Sequence, residues 1–204
     1  MASRGYSVVV VFNSGAQAAE GVVSEIVAAG GSAIAMQADV GDEAQVSRLF
    51  ASVDEWRGKS PLTALVNNAG VLGVAKGSLQ DATTDALLSI MRTNVAGPLN
   101  CLKEAEPRMA SSGGGAVVQI SSGSAYIGTP LLYAASKGAL NSLPIGLIKP
   151  LAQQGIRINT VSPGASLFAT QHASCHATHT LPLTPVYTSS SASVSISTST
   201  STSV

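Results

Sequence analysis

Two spacings of apolar residues alternate along the chain. Residues 6–12, Tyr-Ser-Val-Val-Val-Val-Phe, are a continuous β-branched run, which predicts a strand buried on both faces. From Ala16 to Ala29 the apolar positions Ala19, Val22, Val23, Ile26 and Val27 recur at helical spacing, and Gly30-Gly31 closes the helix. Residues 32–38 read as a second strand ending at Asp39-Val40. A helix over about 42–57 follows, its stripe formed by Val46, Leu49, Phe50, Val53 and Trp56. Leu62–Val66 is a third strand and runs into Asn67-Asn68-Ala69-Gly70. A long helix is predicted from Thr84 to about Met109, a strand over 116–120 opening into Ser121-Ser122, a helix from about 131 toward Gln154, and a strand over Ile156–Val161 stopped by Pro163-Gly164.

Strands alternating with helices of this length predict an α/β fold with a doubly wound parallel sheet. Such sheets bind ligands beyond the carboxyl ends of their strands. Asp39, Asn67, Ser122 and Pro163 all fall at those ends, so the polar residues collect where a ligand is expected. Pro144 and Pro150 interrupt the helix after Lys137, and each costs about 3 kcal/mol in a helix interior, so a kink or an early end near Leu143 is expected. From about Ala165 the periodicity is lost, and 188–204 are almost entirely Ser and Thr. Residues 193–199 alternate like a strand, but so little apolar surface does not offset the entropy of ordering. The reading is therefore a domain over 1–168 and a disordered low-complexity tail over 169–204.

With 204 residues the chain is long enough for one domain with a substantial core. Eleven basic residues balance eleven acidic ones, which argues against a nucleic-acid surface or a polybasic membrane patch. Cys101 and Cys175 are too few for a disulfide framework and point to a reducing compartment. The sequence holds neither an apolar run of membrane-spanning length nor an apolar signal core, and the expected location is the cytoplasm.

The chemistry centres on Tyr133-Ala-Ala-Ser-Lys137. Residues four apart on a helix share a face, so an ammonium lies near a phenol, and its charge favours the phenolate over a phenol of ordinary pKa about 10. Such a tyrosine can exchange a proton with a substrate oxygen. No G-x-S-x-G elbow surrounds a serine, and there is no G-x-x-x-x-G-K-[ST] phosphate loop.

Asn67-Asn68-Ala69-Gly70, Asn94-Val95-Ala96-Gly97, Ile120-Ser121-Ser122, Tyr133-Ala-Ala-Ser-Lys137 and Asn159-Thr-Val-Ser-Pro-Gly164 stand in one order. In this the chain resembles the short-chain dehydrogenase/reductase family over roughly residues 4–164. The resemblance implies an NAD(P)-dependent oxidoreductase that reduces a carbonyl or oxidises an alcohol on a small molecule. Tyr133 would be its general acid or base, and Lys137 would support the tyrosine and hold the nicotinamide ribose. Ser122 would hydrogen-bond the substrate oxygen, and Asn94 would hold a water of the proton relay. Ser122 lies two residues nearer the tyrosine than is usual in the family, so Ser121 and Ser124 stay open as alternatives. Asp39, Val40 and Asn67 would line the adenine pocket. Ala69 and Gly70 follow on the same loop, and Pro163-Gly164 would pass close to the nicotinamide. The resemblance also implies a homodimer or homotetramer paired through the helices at 84–109 and 131–154.

Cofactor choice is read at Asn13-Ser14, where the first strand ends. No carboxylate stands there to hold a ribose 2′-hydroxyl and repel a 2′-phosphate, which favours NADP(H) over NAD(H). The family's first strand and glycine-rich turn have no counterpart, and Met1–Tyr6 aligns with the end of the helix that follows them. Loss of that strand is expected to leave two exposed strand edges, or to pair residues 6–12 with 62–66. A catalytically inactive member, either a fragment or a non-enzymatic partner subunit, is therefore the alternative reading. His172, Cys175, His176 and His179 include every histidine of the chain and could ligate zinc. They stand without accompanying acids or an apolar stripe, so no metal site is expected.

Overall fold

The computed structural model describes residues 1–73 and 79–164 in full and residues 193–199 as backbone. Its strands are β1 (Tyr6–Phe12), β2 (Ser32–Gln37), β3 (Leu62–Asn67), β4 (Gly115–Ile120), β5 (Ile156–Val161) and β6 (Ser193–Ser199). The helices are α1 (Ala16–Ala28), α2 (Glu43–Arg57), α3 (Thr84–Met91), α4 (Gly97–Ser111), the single turn α5 (Ser124–Ile127) and α6 (Leu131–Ala152). The sheet order is β2-β1-β6-β3-β4-β5. Every pair is parallel except the two that β6 makes.

The main core forms where the predicted stripes meet the sheet. Val46, Leu49, Phe50 and Val53 of α2 pack with Cys101, Leu102, Ala105 and Met109 of α4 against Val9, Val11, Leu65, Val117 and Ile158. Each fully buried large aliphatic or aromatic side chain here contributes about 1.5–3 kcal/mol. The opposite face at β1 and β2 is covered by α1, which buries only Ala19 fully and leaves Val22 and Val27 at 44% and 54% exposure. The stripe read from the sequence on α1 is thus only partly used.

Three expectations are corrected. The predicted helix over 84–109 is two helices joined by a π-turn at Arg92–Ala96, where one extra residue per turn carries Asn94 inward. Of the two outcomes expected near Leu143, the early helix end does not occur: α6 runs through both prolines to Ala152. Pro144 is buried, so packing along this helix offsets the missing hydrogen bond.

The third correction concerns residues 193–199, read as disordered. They form β6 and pair antiparallel with all of β1, Tyr6 opposite Ser199 through Phe12 opposite Ser193. Their other edge pairs with β3. Buried backbone groups left without partners cost more than a polar strand does, so an unpaired edge beside Val9 and Val11 favours any chain able to complete the ladder. The edges of β1 and β3 are therefore neither exposed nor joined to each other. The rest of the tail lies outside the described residues.

Candidate active site

The carboxyl ends of β3, β4 and β5 place three loops beside the first turns of α6. Lys137 is 3% exposed, and its Nζ donates to the carbonyl oxygen of Ile120 at 2.7 Å. That carbonyl uses one of three ammonium donors. The same Nζ stands 5.7 Å from the centre of the Tyr133 ring, so the helical spacing produces the expected neighbourhood. Burial lowers the Lys137 pKa from 10.5 to about 8.

Asn94, fully buried, faces this pair from the π-turn. Its Oδ1 accepts from the Val71 N–H at 2.8 Å, and its Nδ2 donates to the Val71 carbonyl at 2.9 Å and to Ser136 Oγ at 2.9 Å. Ser136 in turn donates to the Tyr133 carbonyl at 2.7 Å. The loop after β3, the π-turn and α6 are thereby held together. A Cβ on Gly70 would lie 3.3 Å from Lys137 Nζ and 3.5 Å from Asn94 Oδ1, so a side chain there would crowd the space between them.

Of the three candidate serines, Ser121 is buried and donates to the Lys137 carbonyl at 3.1 Å. Ser122 is half-buried and accepts from the Ser124 N–H at 3.1 Å. The loops after β4 and β5 are tied by the Ser121 N–H to the Val161 carbonyl and the Gly123 N–H to the Pro163 carbonyl, both at 2.8 Å. Pro163 and Gly164 therefore stand beside the serine loop and are themselves exposed.

Toward β1 and β2, Asn13 and Ser14 are exposed where β1 ends. Asp39 is half-buried; its carboxylate accepts from the Gly41 N–H at 2.9 Å and pairs with Arg92 at 3.3 Å. The cap of α2 belongs to Asp42, which accepts from the Gln45 N–H and whose carboxyl is held below its ordinary pKa by the hydrogen bonds from Gln45. Val40 is buried, its carbonyl accepting from Asn100 at 3.0 Å. Asn67 turns its side chain inward, donating to the Pro98 carbonyl at 3.3 Å. Ala69 is buried beside the exposed Asn68.

Arg92, Val71, Ile120 and Ser136 are participants that motif reading missed. Ser136 and Ile120 stood inside quoted motifs, Tyr133-Ala-Ala-Ser-Lys137 and Ile120-Ser121-Ser122, without being singled out. The others act through backbone groups or across the fold. Among the described residues no cluster of His, Cys, Asp or Glu could hold a metal, and no helix is long and apolar enough to cross a membrane. The cluster from His172 to His179 lies outside the described residues.

Comparison with known proteins identifies the family. The sequence pattern of short chain dehydrogenases matches residues 1–180. An uncharacterized oxidoreductase, YgfF of Escherichia coli, is 41% identical over 180 residues, which are 85% of this chain and 71% of that protein. The 3-oxoacyl-[acyl-carrier-protein] reductase FabG of Staphylococcus aureus is 34% identical over 175 residues, 80% of this chain and 66% of that one. A metagenomic short-chain oxidoreductase solved in complex with NADP superposes with a TM-score of 0.71 at 29% identity, covering 80% of this chain and 73% of its own. The chain thus spans about two thirds to three quarters of the length of these proteins. With the family pattern matched over residues 1–180 and a relative 41% identical, the chain belongs to the short-chain dehydrogenase family.

Proposed function

We propose that the chain is an NADP(H)-dependent oxidoreductase that interconverts a carbonyl and an alcohol on a small molecule, with Tyr133, Lys137, Ser122 and Asn94 as its working residues. The observation that carries this reading is the buried Lys137 ammonium, 5.7 Å from the Tyr133 ring and anchored to Ile120. When bound, the nicotinamide supplies or accepts the hydride. The Tyr133 hydroxyl gives its proton to the carbonyl oxygen in reduction and takes one from the alcohol in oxidation. Lys137 stabilises the negative charge that then develops on the tyrosine oxygen.

The chain's residues fit such a cofactor. Lys137 keeps two N–H donors for the ribose hydroxyls, and Gly70 leaves the room that a side chain would fill. Asp39, Val40 and Asn67 would support the adenine end, Asn13 and Ser14 the adenosine ribose, and Ala69, Gly70, Pro163 and Gly164 the nicotinamide half. The NADP complex of the metagenomic relative and the lack of a carboxylate at Asn13-Ser14 support NADP(H) over NAD(H). Ser122 would hydrogen-bond the substrate oxygen, since the Ser121 hydroxyl is already committed to the Lys137 carbonyl. Both ends of the Asn94 side chain are engaged by protein, so it also holds Val71 and Ser136 in place; a relay water would be held by its backbone or by the second lone pair of Oδ1.

A homodimer or homotetramer is supported by exposed Leu88 on α3 and by Ile145 and Ile148 on the neighbouring α6, at 61%, 76% and 53% exposure. The cytoplasm fits the sparse cysteines. A second reading, an inactive member, is favoured by one observation: β6 fills the sheet between β1 and β3 in the antiparallel sense. Its carboxyl end therefore points away from the site. The discriminating experiment is a fluorescence titration of the 204-residue chain with NADPH, NADH serving as control, followed by turnover on a carbonyl panel with Tyr133→Phe alongside. Micromolar binding with turnover lost in Tyr133→Phe supports the enzyme; absence of binding supports the inactive reading.

A further inference from the structure

One row of the sheet is polar and incompletely paired. Asn67 of β3 is in register with Gln119 of β4, and Gln119 with Thr160 of β5. Two residues earlier in each strand, Leu65, Val117 and Ile158 form one row of the main core. Side chains two apart share a sheet face, so the polar row continues the apolar one toward the carboxyl ends, beneath the helices that cover that core. Asn67 is 2% exposed and Gln119 1%.

These side chains do not satisfy one another. Asn67 Oδ1, both Gln119 Oε1 and Nε2, and Thr160 Oγ1 are buried without any hydrogen-bond partner in the protein. Asn141 Oδ1, on the α6 helix that packs against β5, is in the same condition. Residues in register on neighbouring strands lie about 4.8 Å apart, so one small molecule can reach the polar atoms of two of them. Buried polar groups cost free energy unless paired, so a row of unpaired ones calls for a partner.

The donor and acceptor set identifies that species. The row offers carbonyl acceptors, an NH₂ donor and a hydroxyl that serves as either. A transition-metal cation would need carboxylates, thiolates or imidazoles, no cluster of which exists among the described residues, and the Gln119 NH₂ in the row disfavours any cation. Water both donates and accepts and is held by two to four such partners. We propose that Asn67, Gln119 and Thr160 form an internal hydration site, in which long-lived water bridges β3, β4 and β5 behind the active-site loops.

The test is water oxygen-17 relaxation dispersion on the full 204-residue chain, comparing wild type with Gln119→Met and Thr160→Val. The wild-type dispersion should show long-lived internal water, and its amplitude should fall in Gln119→Met. In parallel, the unfolding equilibrium constant of Gln119→Met should rise about tenfold, because the water and the remaining polar groups lose a partner. An unchanged dispersion amplitude would overturn the proposal whatever the stability does. With unchanged or higher stability the row would be dry; with lower stability Gln119 would be paired directly with a neighbour. Thr160→Val makes a smaller change and decides the matter by the same amplitude if Gln119→Met does not fold.

Discussion

The Asn94 side chain donates to Ser136 at 2.9 Å and so fastens the π-turn to the helix that presents Tyr133 and Lys137. Both residues are fully buried. Ser136→Ala should leave a buried amide donor unpaired and lower stability by about 1–3 kcal/mol, measured by denaturant unfolding. Asn94→Leu should do the same, and the double variant should lose much less than the sum. Additive losses would mean that the two side chains are not coupled.

Removing the Tyr133 hydroxyl should leave the fold untouched and abolish the reaction. Tyr133→Phe is expected to lower kcat by roughly 10²-fold or more while the unfolding midpoint stays in place. Retained turnover in steady-state assays would sink the catalytic assignment.

Burial of Lys137 makes stability depend on pH in a defined direction. Its pKa falls from 10.5 to about 8 on folding, so between these values the unfolded chain binds the extra proton. The charged lysine therefore opposes folding below pH 8, by about 3 kcal/mol, and this cost fades as pH rises toward 10.5. Relative to Lys137→Met, wild type should gain stability across that window. Chemical unfolding of both proteins at several pH values measures the difference, and a constant gap would contradict it.

Cofactor preference should follow the charge at the end of β1. Asn13→Asp is expected to weaken NADPH binding at least about tenfold and to spare NADH, since a carboxylate repels the 2′-phosphate and accepts from a 2′-hydroxyl. Paired fluorescence titrations read this directly. Equal effects on the two nucleotides would place the adenosine ribose elsewhere.

Two glycines should respond oppositely to alanine. Gly114 has φ +113°, and a Cβ there would collide with the Gly155 carbonyl, so Gly114→Ala should cost more than about 2 kcal/mol. Gly21 lies on exposed α1 with nothing within 4 Å, and Gly21→Ala should stabilise by about 0.5–1 kcal/mol. Thermal melts of the two variants should shift in opposite directions.

Local pattern was sufficient for much of this protein. The valine run of β1, the stripe of α2 and the apolar run of β3 are short-range signals, and each became an element near its predicted bounds. Tyr133 and Lys137 were legible together because helical geometry alone makes residues four apart neighbours. Ser122 and Asn94 are singled out only by the motifs of the family.

The tertiary structure decided what depends on partners distant in sequence. Asp39 meets Arg92, Asn67 turns toward Pro98, and Asn94 is closed by Val71 and Ser136; no local period encodes these contacts. The π-turn carries Asn94 inward between two helices that read as one. Residues 193–199 are the clearest case. Their composition alone favours solvent, whereas the edges of β1 and β3 offer backbone pairing on both sides, unbroken along β1 and shifted in register between Leu62 and Ala64 on β3. Sequence determined most of the elements and the chemistry their residues could carry. Burial and backbone pairing, which act only once the sheet is assembled, determined which of those groups meet.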